Sequence, residues 1–394
     1  MPTDGHHDIA VIGGGIAGVS AAYWLTRHPA APSVVVLEAE DTLAHHTTGR
    51  SAAQLVPNLG ARALRPLTMA SVPFFDDPPN GFAEHPLVTP RAVITVAPSG
   101  EEAAFDAQLA AARAVDPAAT ELDPDEAVAL FPALRRDHLG RTMLEPSGDD
   151  IDVAALHQAF VTGARRARRH RASGLAPRCR RADRATGAAR WQLRAEDGRE
   201  LTTGTVLDAA GAWGDLVAEI CGVPGVGLQP RRRTAFMTPS PDPTSADWPM
   251  VVDVAHRWYL KPDGTQFLCS PADQTPSRPC DARPDELDVA LAIERINGAT
   301  TLGIRSVASA WAGLRTFAPD ESMVLGPDPD TPGFVWCVGQ GGTGIQTAPA
   351  AGRLVADLML DGTPSTFFDT VDLDLPALTP GRPGLGADRP GSAP

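Results

Sequence analysis

Asp8-Ile9-Ala10-Val11-Ile12-Gly13-Gly14-Gly15-Ile16-Ala17-Gly18 is a short apolar run that breaks into G-x-G-x-x-G. An unbroken apolar run of this length reads as a parallel strand buried on both faces. The Ala- and Leu-rich stretch Val19 to Arg27 then reads as a helix. Each glycine has its own task in such a turn. Gly13 permits the sharp bend, Gly15 lets backbone approach a pyrophosphate, and Gly18 lets the helix lie close on the strand. Unpaired N–H groups and the dipole at the helix N-terminus favour the phosphate charge. A second run, Ser33-Val34-Val35-Val36-Leu37, ends at Glu38. An acidic residue about twenty positions past the glycines is placed to accept hydrogen bonds from a ribose hydroxyl. Strand, glycine turn, helix and Glu38 together predict a dinucleotide site.

At 394 residues the chain has room for two domains or one large interleaved unit. A hydrophobic fraction of 43% and a charged fraction of 21% are those of an ordinary globular protein. The net charge of −14 argues against a nucleic-acid partner, which needs a basic surface. Cys179, Cys221, Cys269, Cys280 and Cys337 are scattered, odd in number and without C-x-x-C spacing. Neither a disulfide framework nor a metal site is expected from them, and the adjacent His45 and His46 read as a solvated loop pair. No stretch reaches the roughly 18 uninterrupted apolar residues of a membrane span. The polar start of the chain, running straight into the fingerprint, does not read as a signal peptide. A cytoplasmic protein is the expectation. Lys261 is the sole lysine, and nine arginines fall within residues 165–184. These read as the solvated end of an amphipathic helix from Asp152 to His170.

Further strand–turn–helix units recur. Thr205-Val206-Leu207-Asp208-Ala209-Ala210-Gly211-Ala212-Trp213 precedes a helix from Asp215, and Phe334-Val335-Trp336-Cys337-Val338 runs into Gly339-Gln340-Gly341-Gly342-Thr343-Gly344 and a helix from about Ile345 to Leu360. Strand-rich segments lie between, notably from Gln229 to Trp311. The terminal unit offers a second helix N-terminus behind four glycines. A reduced flavin carries negative charge that backbone N–H groups and a helix dipole would stabilise, whereas a nicotinamide has no such need. This favours FAD over NAD. Arg315 stands in the otherwise apolar Trp311-Ala312-Gly313-Leu314-Arg315-Thr316-Phe317. An arginine there either anchors a substrate carboxylate or forms an internal salt bridge. Tyr259, one of two tyrosines, either caps a substrate group or closes a strand pair.

These motifs carry a resemblance to the FAD-dependent D-amino-acid oxidase, glycine oxidase and sarcosine oxidase superfamily. Within it, the chain resembles bacterial D-arginine dehydrogenase-type D-amino acid dehydrogenases. The likeness runs from Ile9 to about Leu360. It rests on the fingerprint with Glu38, on Thr48-Gly49-Arg50-Ser51-Ala52-Ala53, on Asp149-Asp150-Ile151-Asp152, on Leu228-Gln229-Pro230 with Arg232-Arg233, on Asp247-Trp248-Pro249-Met250, on Tyr259-Leu260-Lys261-Pro262, and on the Arg315 and C-terminal glycine segments.

The resemblance implies a fold combining α/β and α+β parts: a Rossmann-like FAD-binding domain with an interleaved antiparallel-sheet substrate domain. Residues 1–85, 146–227 and 312–375 would form the first, residues 86–145 and 228–311 the second, and residues 376–394 a disordered tail. It implies noncovalent FAD held by Gly13, Gly15, Gly18, Glu38, Thr48, Gly49, Arg50, Ser51, Ala52, Ala210, Gly211, Trp213, Gly341, Thr343, Gly344, Ile345 and Gln346. Arg315 and Arg233 would hold a substrate carboxylate, Tyr259 would cover the substrate, and the Gly342 carbonyl would receive its amine. Met250 and Val252 would line the pocket.

Four departures bear on the substrate. Val93 stands where the D-arginine enzymes place an acidic residue, Gln54 and Leu59 replace a histidine and a tyrosine, and Thr343 replaces the tyrosine of their C-terminal glycine loop. A cation beside Val93 would lack a partner, so D-arginine is expected to be a poor substrate. The expected reaction is oxidation of the C–N bond of a D-amino acid or related amine to an imine, hydrolysed to a keto acid, with oxygen or a quinone-type molecule as electron acceptor. The alternatives are a sarcosine-type or biosynthetic amine oxidase acting on a specialised scaffold, and a non-catalytic flavoprotein.

Overall fold

The computed structural model describes residues 5–164, 168–171, 180–182, 190–194, 200–240 and 245–386. Its first sheet is centred on the strand Gly5–Ile12, which pairs in parallel with Val34–Glu38 on one side and Glu200–Asp208 on the other. Phe334–Val338 adds in parallel beyond Glu200–Asp208, and Val324–Pro327 closes that edge antiparallel. Strands from the beginning, middle and end of the chain thus share one sheet. Burial of both faces explains the unbroken apolar runs. Ile9, Val11, Val34 and Val36 enter one core, while Ala10, Ile12, Val35 and Leu37 enter the core on the opposite face.

The helices Ile16–Arg27 and Ala348–Leu360 cross against each other on the first of these faces. Ser20 Oγ donates to the carbonyl of Ala348 at 2.6 Å, and Trp24 Nε1 donates to that of Pro349 at 2.9 Å. The contact is close because Gly352 has no side chain: a Cβ there would sit against Ser20. The two glycine-rich turns are thereby locked side by side.

The second sheet runs in the order Ser309–Phe317, Gln229–Pro239, Gln266–Ser270, Tyr259–Asp263, Met250–Asp253, Val93–Ala97, Arg141–Glu145, Thr120–Leu122. All neighbours are antiparallel except Met250–Asp253 and Val93–Ala97. One face packs Ile94, Val96, Val251, Leu260 and Phe267 against Val289, Ala292 and Ile296 of the helix Glu286–Ala299. The other carries Val93, Met250, Tyr259, Leu268, Ala235 and Met237. A small sheet of Gln54–Leu55, Asp149–Ile151 and Val88–Pro90 is tied to the large one by a single carboxylate. Asp150 accepts from Arg91 Nε at 2.8 Å and from Lys261 Nζ at 2.6 Å, which gives the only lysine, itself buried, a half-buried partner.

Mixed parallel and antiparallel architecture matches the expected class. Several local expectations are corrected. The helix begun at Val153 ends at Gly163, and Arg168–Arg171 is an edge strand beside Val34–Glu38. A run of charged residues offers no apolar stripe to keep a helix on the core, and an edge tolerates charge. The rest of the arginine-rich stretch and Cys179 lie outside the described residues. The helix Glu286–Ala299 stands where only strand was expected, and Arg65–Asp76 is a further helix. The C-terminal helix starts at Ala348, because residues 343–347 are still wound in hydrogen-bonded turns. The expected boundary at 311/312 falls inside the strand Ser309–Phe317. Residues 376–386 are not disordered. Leu378 and Leu385 are buried, and Arg382 pairs with Asp320 at 2.7 Å, so two apolar anchors and one ion pair hold this Pro/Gly-rich stretch down.

Candidate active site

The fingerprint turn forms one end of a cavity of about 390 Å³. Gly13 has φ +108°, and a Cβ there would lie 2.5 Å from the carbonyl oxygen of Ala209, so only glycine fits. Gly18 packs on the Gly13 carbonyl, as helix-to-strand packing requires. Glu38 reaches back to the turn. Its Oε2 accepts from the N–H of Gly14 at 2.8 Å and its Oε1 from the N–H of Glu40 at 3.0 Å. Thr48 Oγ1 accepts from the N–H of Ile16, the first residue of the helix, at 3.0 Å. The helix start is therefore capped by a hydroxyl from a remote loop, placed beside Gly15 in the same cavity wall.

The other end is built by the strand Ser309–Phe317 and the glycine loop. Gly341 donates to the carbonyl of Thr316 at 2.8 Å and has φ +53°, and a Cβ there would lie 2.6 Å from the Phe317 ring. Gly342 lies against the Arg315 guanidinium. Arg233, on the neighbouring strand, donates from Nε to the carbonyl of Asp273 at 2.8 Å. Asp273 spends its carboxylate elsewhere, on Arg232 at 3.0 Å and on the N–H of Thr234 at 2.6 Å. Among the described residues no carboxylate forms a salt bridge with Arg315 or Arg233, though both line the cavity. Burial, with Arg233 adding to it, draws the pKa of Arg315 down, against the opposing pull of Tyr259 and Asp273. Burial resists ionisation of the Tyr259 phenol, yet Arg233 and Arg315 outweigh it and draw its pKa below the usual value. The site is electropositive and short of one anion.

Gly13, Gly15, Glu38, Thr48, Arg50, Ser51, Ala52, Ala210, Gly211, Trp213, Arg233, Tyr259, Arg315, Gly341, Gly342, Gly344 and Ile345 all border this one cavity. Arg50 borders it with its guanidinium already committed, to Asp281 at 2.6 Å and to the carbonyl of Ala312 at 2.9 Å. Other predicted residues do not border it. Gly49 is packed on Ala44, and the Thr343 hydroxyl donates to the carbonyl of Gln340 at 3.1 Å. The Gln346 side chain is a clamp between remote segments. Its Oε1 accepts from the N–H of Val56 at 3.0 Å, and its Nε2 donates to Thr68 Oγ1 at 2.9 Å. Val93, Met250 and Val252 lie beyond Tyr259 in one apolar cluster. Gln54 bonds to the carbonyl of Arg91 at 3.0 Å, and Leu59 is half-buried in the following loop.

Glu40, His45 and His46 also line the wall, with ligand atoms within 4.8 Å of one another. His46 is held by Glu40 at 2.8 Å and tilts over the Trp213 ring at 4.6 Å. No spacing rule marks them; only their position in the loop between Glu38 and Thr48 could have done so.

A backbone cradle that a Cβ would fill, a helix N-terminus and a facing carboxylate fit a dinucleotide. The glycine loop at the far end of the same cavity fits its redox half. Comparison with known proteins agrees. The family model described as FAD dependent oxidoreductase, DAO, matches residues 8–358. The chain is 30% identical over 188 residues to FAD-dependent oxidoreductase domain-containing protein 1 of Mus musculus, an alignment that covers 43% of this chain and 37% of that relative. Its fold superposes on L-proline dehydrogenase from P. horikoshii with a TM-score of 0.79 at 18% identity, covering 96% of this chain and 98% of that one. Glycine oxidase from Geobacillus kaustophilus gives 0.78 at 20% identity, covering 95% and 98%. The chain belongs to the DAO family of FAD-dependent oxidoreductases.

Proposed function

We propose that this protein oxidises the C–N bond of an amino acid, of D configuration, or of a related carboxylate-bearing amine. The observation that carries the reading is the pair of cavity-lining guanidiniums without a carboxylate partner, Arg315 and Arg233. An unpaired buried cation is costly, and a planar fork suits a carboxylate. Arg315 and Arg233 hold the substrate carboxylate, and Tyr259 closes over it. The Gly342 carbonyl accepts a hydrogen bond from the amine. FAD, when bound, supplies the two-electron acceptor. The amine gives up a proton, the carbon bearing it gives up a hydride, and water hydrolyses the resulting imine to a keto acid and an amine. The chain's contribution is positioning and electrostatics at the carbon–nitrogen bond.

The wall beyond Tyr259 is apolar. Val93 is 3% exposed among Met250, Ala235 and Leu268, so a cation ending there would be unpaired. D-arginine is therefore expected to be poor. The test is anaerobic mixing of the purified holoenzyme with a panel of D- and L-amino acids and N-alkylglycines, following the visible flavin band. Bleaching by carboxylate-bearing amines supports the reading; a flavin left oxidised by all of them refutes it.

A further inference from the structure

Each peptide group of the fingerprint turn, from Ile12 to Ile16, is pinned by its own partner. The Gly13 N–H donates to the carbonyl of Leu37 at 2.8 Å, and the Gly14 N–H to Glu38 Oε2 at 2.8 Å. The Ile16 N–H donates to Thr48 Oγ1 at 3.0 Å. These bonds fix the peptides 12–13, 13–14 and 15–16. The peptide between Gly14 and Gly15 is held from elsewhere. His157 Nε2 lies 2.9 Å from the Gly14 carbonyl oxygen. A carbonyl oxygen only accepts, so Nε2 is the protonated nitrogen and donates.

The helix Val153–Gly163 is placed so that His157 meets this carbonyl. Its start is fixed by Asp152, whose carboxylate accepts from the N–H of Ala155 at 2.8 Å. Further along, Phe160 meets the Tyr23 ring edge-on at 5.4 Å, and a Cβ on Gly163 would lie 2.5 Å from that ring. The helix therefore lies close on Ile16–Arg27, the helix that the fingerprint opens. His157 shares the face of Phe160 and Val161 and is 8% exposed. Gly13 and Gly15 border the cavity, whereas His157 is not among its lining residues. It reaches a cofactor only through the turn.

We propose that His157 is a positioning residue for FAD: by holding the Gly14 carbonyl it aims the Gly15 N–H at the cofactor's pyrophosphate. In a planar trans peptide the carbonyl and the following N–H point in opposite directions. The Gly14 carbonyl drawn onto His157 therefore turns the Gly15 N–H the other way, on the residue that borders the cavity. The lock is needed because this peptide joins two glycines. With no Cβ on either side, rotating it meets little steric resistance. A flipped peptide would offer the phosphates a carbonyl oxygen in place of an N–H. Apparent affinity falls in proportion to the fraction of chains that hold the binding orientation. The proposal concerns the cofactor alone, and it stands whether or not the substrate is a carboxylate-bearing amine.

The experiment titrates FAD into the FAD-depleted full chain, with urea unfolding of that protein as the control. His157→Leu should raise the Kd for FAD by about tenfold or more. ADP, which keeps the diphosphate and lacks the flavin, should lose affinity by the same factor. His157→Gln keeps an N–H donor at similar reach and should stay within about threefold of wild type. The visible spectrum of the bound flavin should be the same in every variant, because the far end of the cavity is untouched. His157→Asn, polar but one methylene shorter, should lose affinity as leucine does, and it decides the matter if the leucine variant fails to fold. Wild-type FAD affinity in a folded Leu or Asn variant overturns the inference. So does a Gln variant as weak as the Leu one, which makes His157 a packing residue. ADP affinity unchanged while FAD affinity falls overturns it too.

Discussion

The guanidinium of Arg315 rests on the Cα of Gly342, so closely that a Cβ there would come 2.7 Å from Nη1 and 3.1 Å from Cζ. The residue proposed to hold the carboxylate and the loop proposed to receive the amine are thus one packed unit. Gly342 does not have positive φ, so alanine can adopt its backbone. Gly342→Ala is expected to keep the fold and displace the guanidinium. Misplacement by about 1 Å costs on the order of 100-fold in rate. Steady-state kinetics with thermal unfolding as control checks this: kcat/KM should fall at least tenfold with unfolding little changed.

Arg315→Lys tests the fork. An ammonium is a point donor and cannot match a carboxylate in two parallel bonds. Hydrogen bonds to charged groups are worth about 1.5–3 kcal/mol, so KM should rise roughly 10- to 100-fold for a carboxylate-bearing amine. A carboxylate-free amine of the same shape should show no comparable loss.

Gln346 predicts a stability effect. Replacing it with leucine removes bonds to Val56 N–H, the Val56 carbonyl and Thr68 Oγ1 in a site that is 1% exposed. Each stranded group costs about 1–3 kcal/mol. Gln346→Leu should therefore lose several kcal/mol in urea unfolding at saturating FAD, with the affinity of the folded protein for FAD changed far less. Unchanged stability with lost FAD binding would restore the cofactor role.

Glu145 predicts a pH dependence whose sign follows from its raised pKa. The folded chain keeps the proton up to about pH 7, while the unfolded chain releases it near 4.5. Stability from this group is complete below the unfolded value and is lost as pH rises through that window, by about 3 kcal/mol at roughly 1.4 kcal/mol per pH unit. Glu145→Gln should flatten the fall between pH 4.5 and 7 and exceed the wild type in stability at pH 8. Urea unfolding at pH 5 and pH 8 checks it. Asp208, fully buried and also pushed up, titrates in the same sense in both proteins and cancels in the comparison.

What was legible in the sequence is what depends on neighbours along the chain. The run into Gly13, Gly15 and Gly18, the acid at Glu38 and the C-terminal glycines are local demands on backbone and phosphate approach, and the structure gathers them around one cavity. Glu286–Ala299 shows where such reading fails. Leu287, Val289, Leu291 and Ile293 alternate as a strand would, yet only the helical set Val289, Ala292, Ile296 and Ala299 is buried and Leu287 is 68% exposed. Packing chose the period. The clamp made by Gln346 was not legible because its partners, Val56 and Thr68, are remote in sequence. The burial of Glu145 was not legible because only the sheet register puts it beside Val93.

The most direct test is reduction of the flavin under anaerobic conditions by matched amines with and without a carboxylate, in wild type and Arg315→Ala. Rapid bleaching by a D-amino acid, none by its decarboxylated amine, and a rate reduced by two orders of magnitude or more in the variant is the predicted result. Equal bleaching by the decarboxylated amine, or an Arg315→Ala enzyme as fast as wild type, would contradict it.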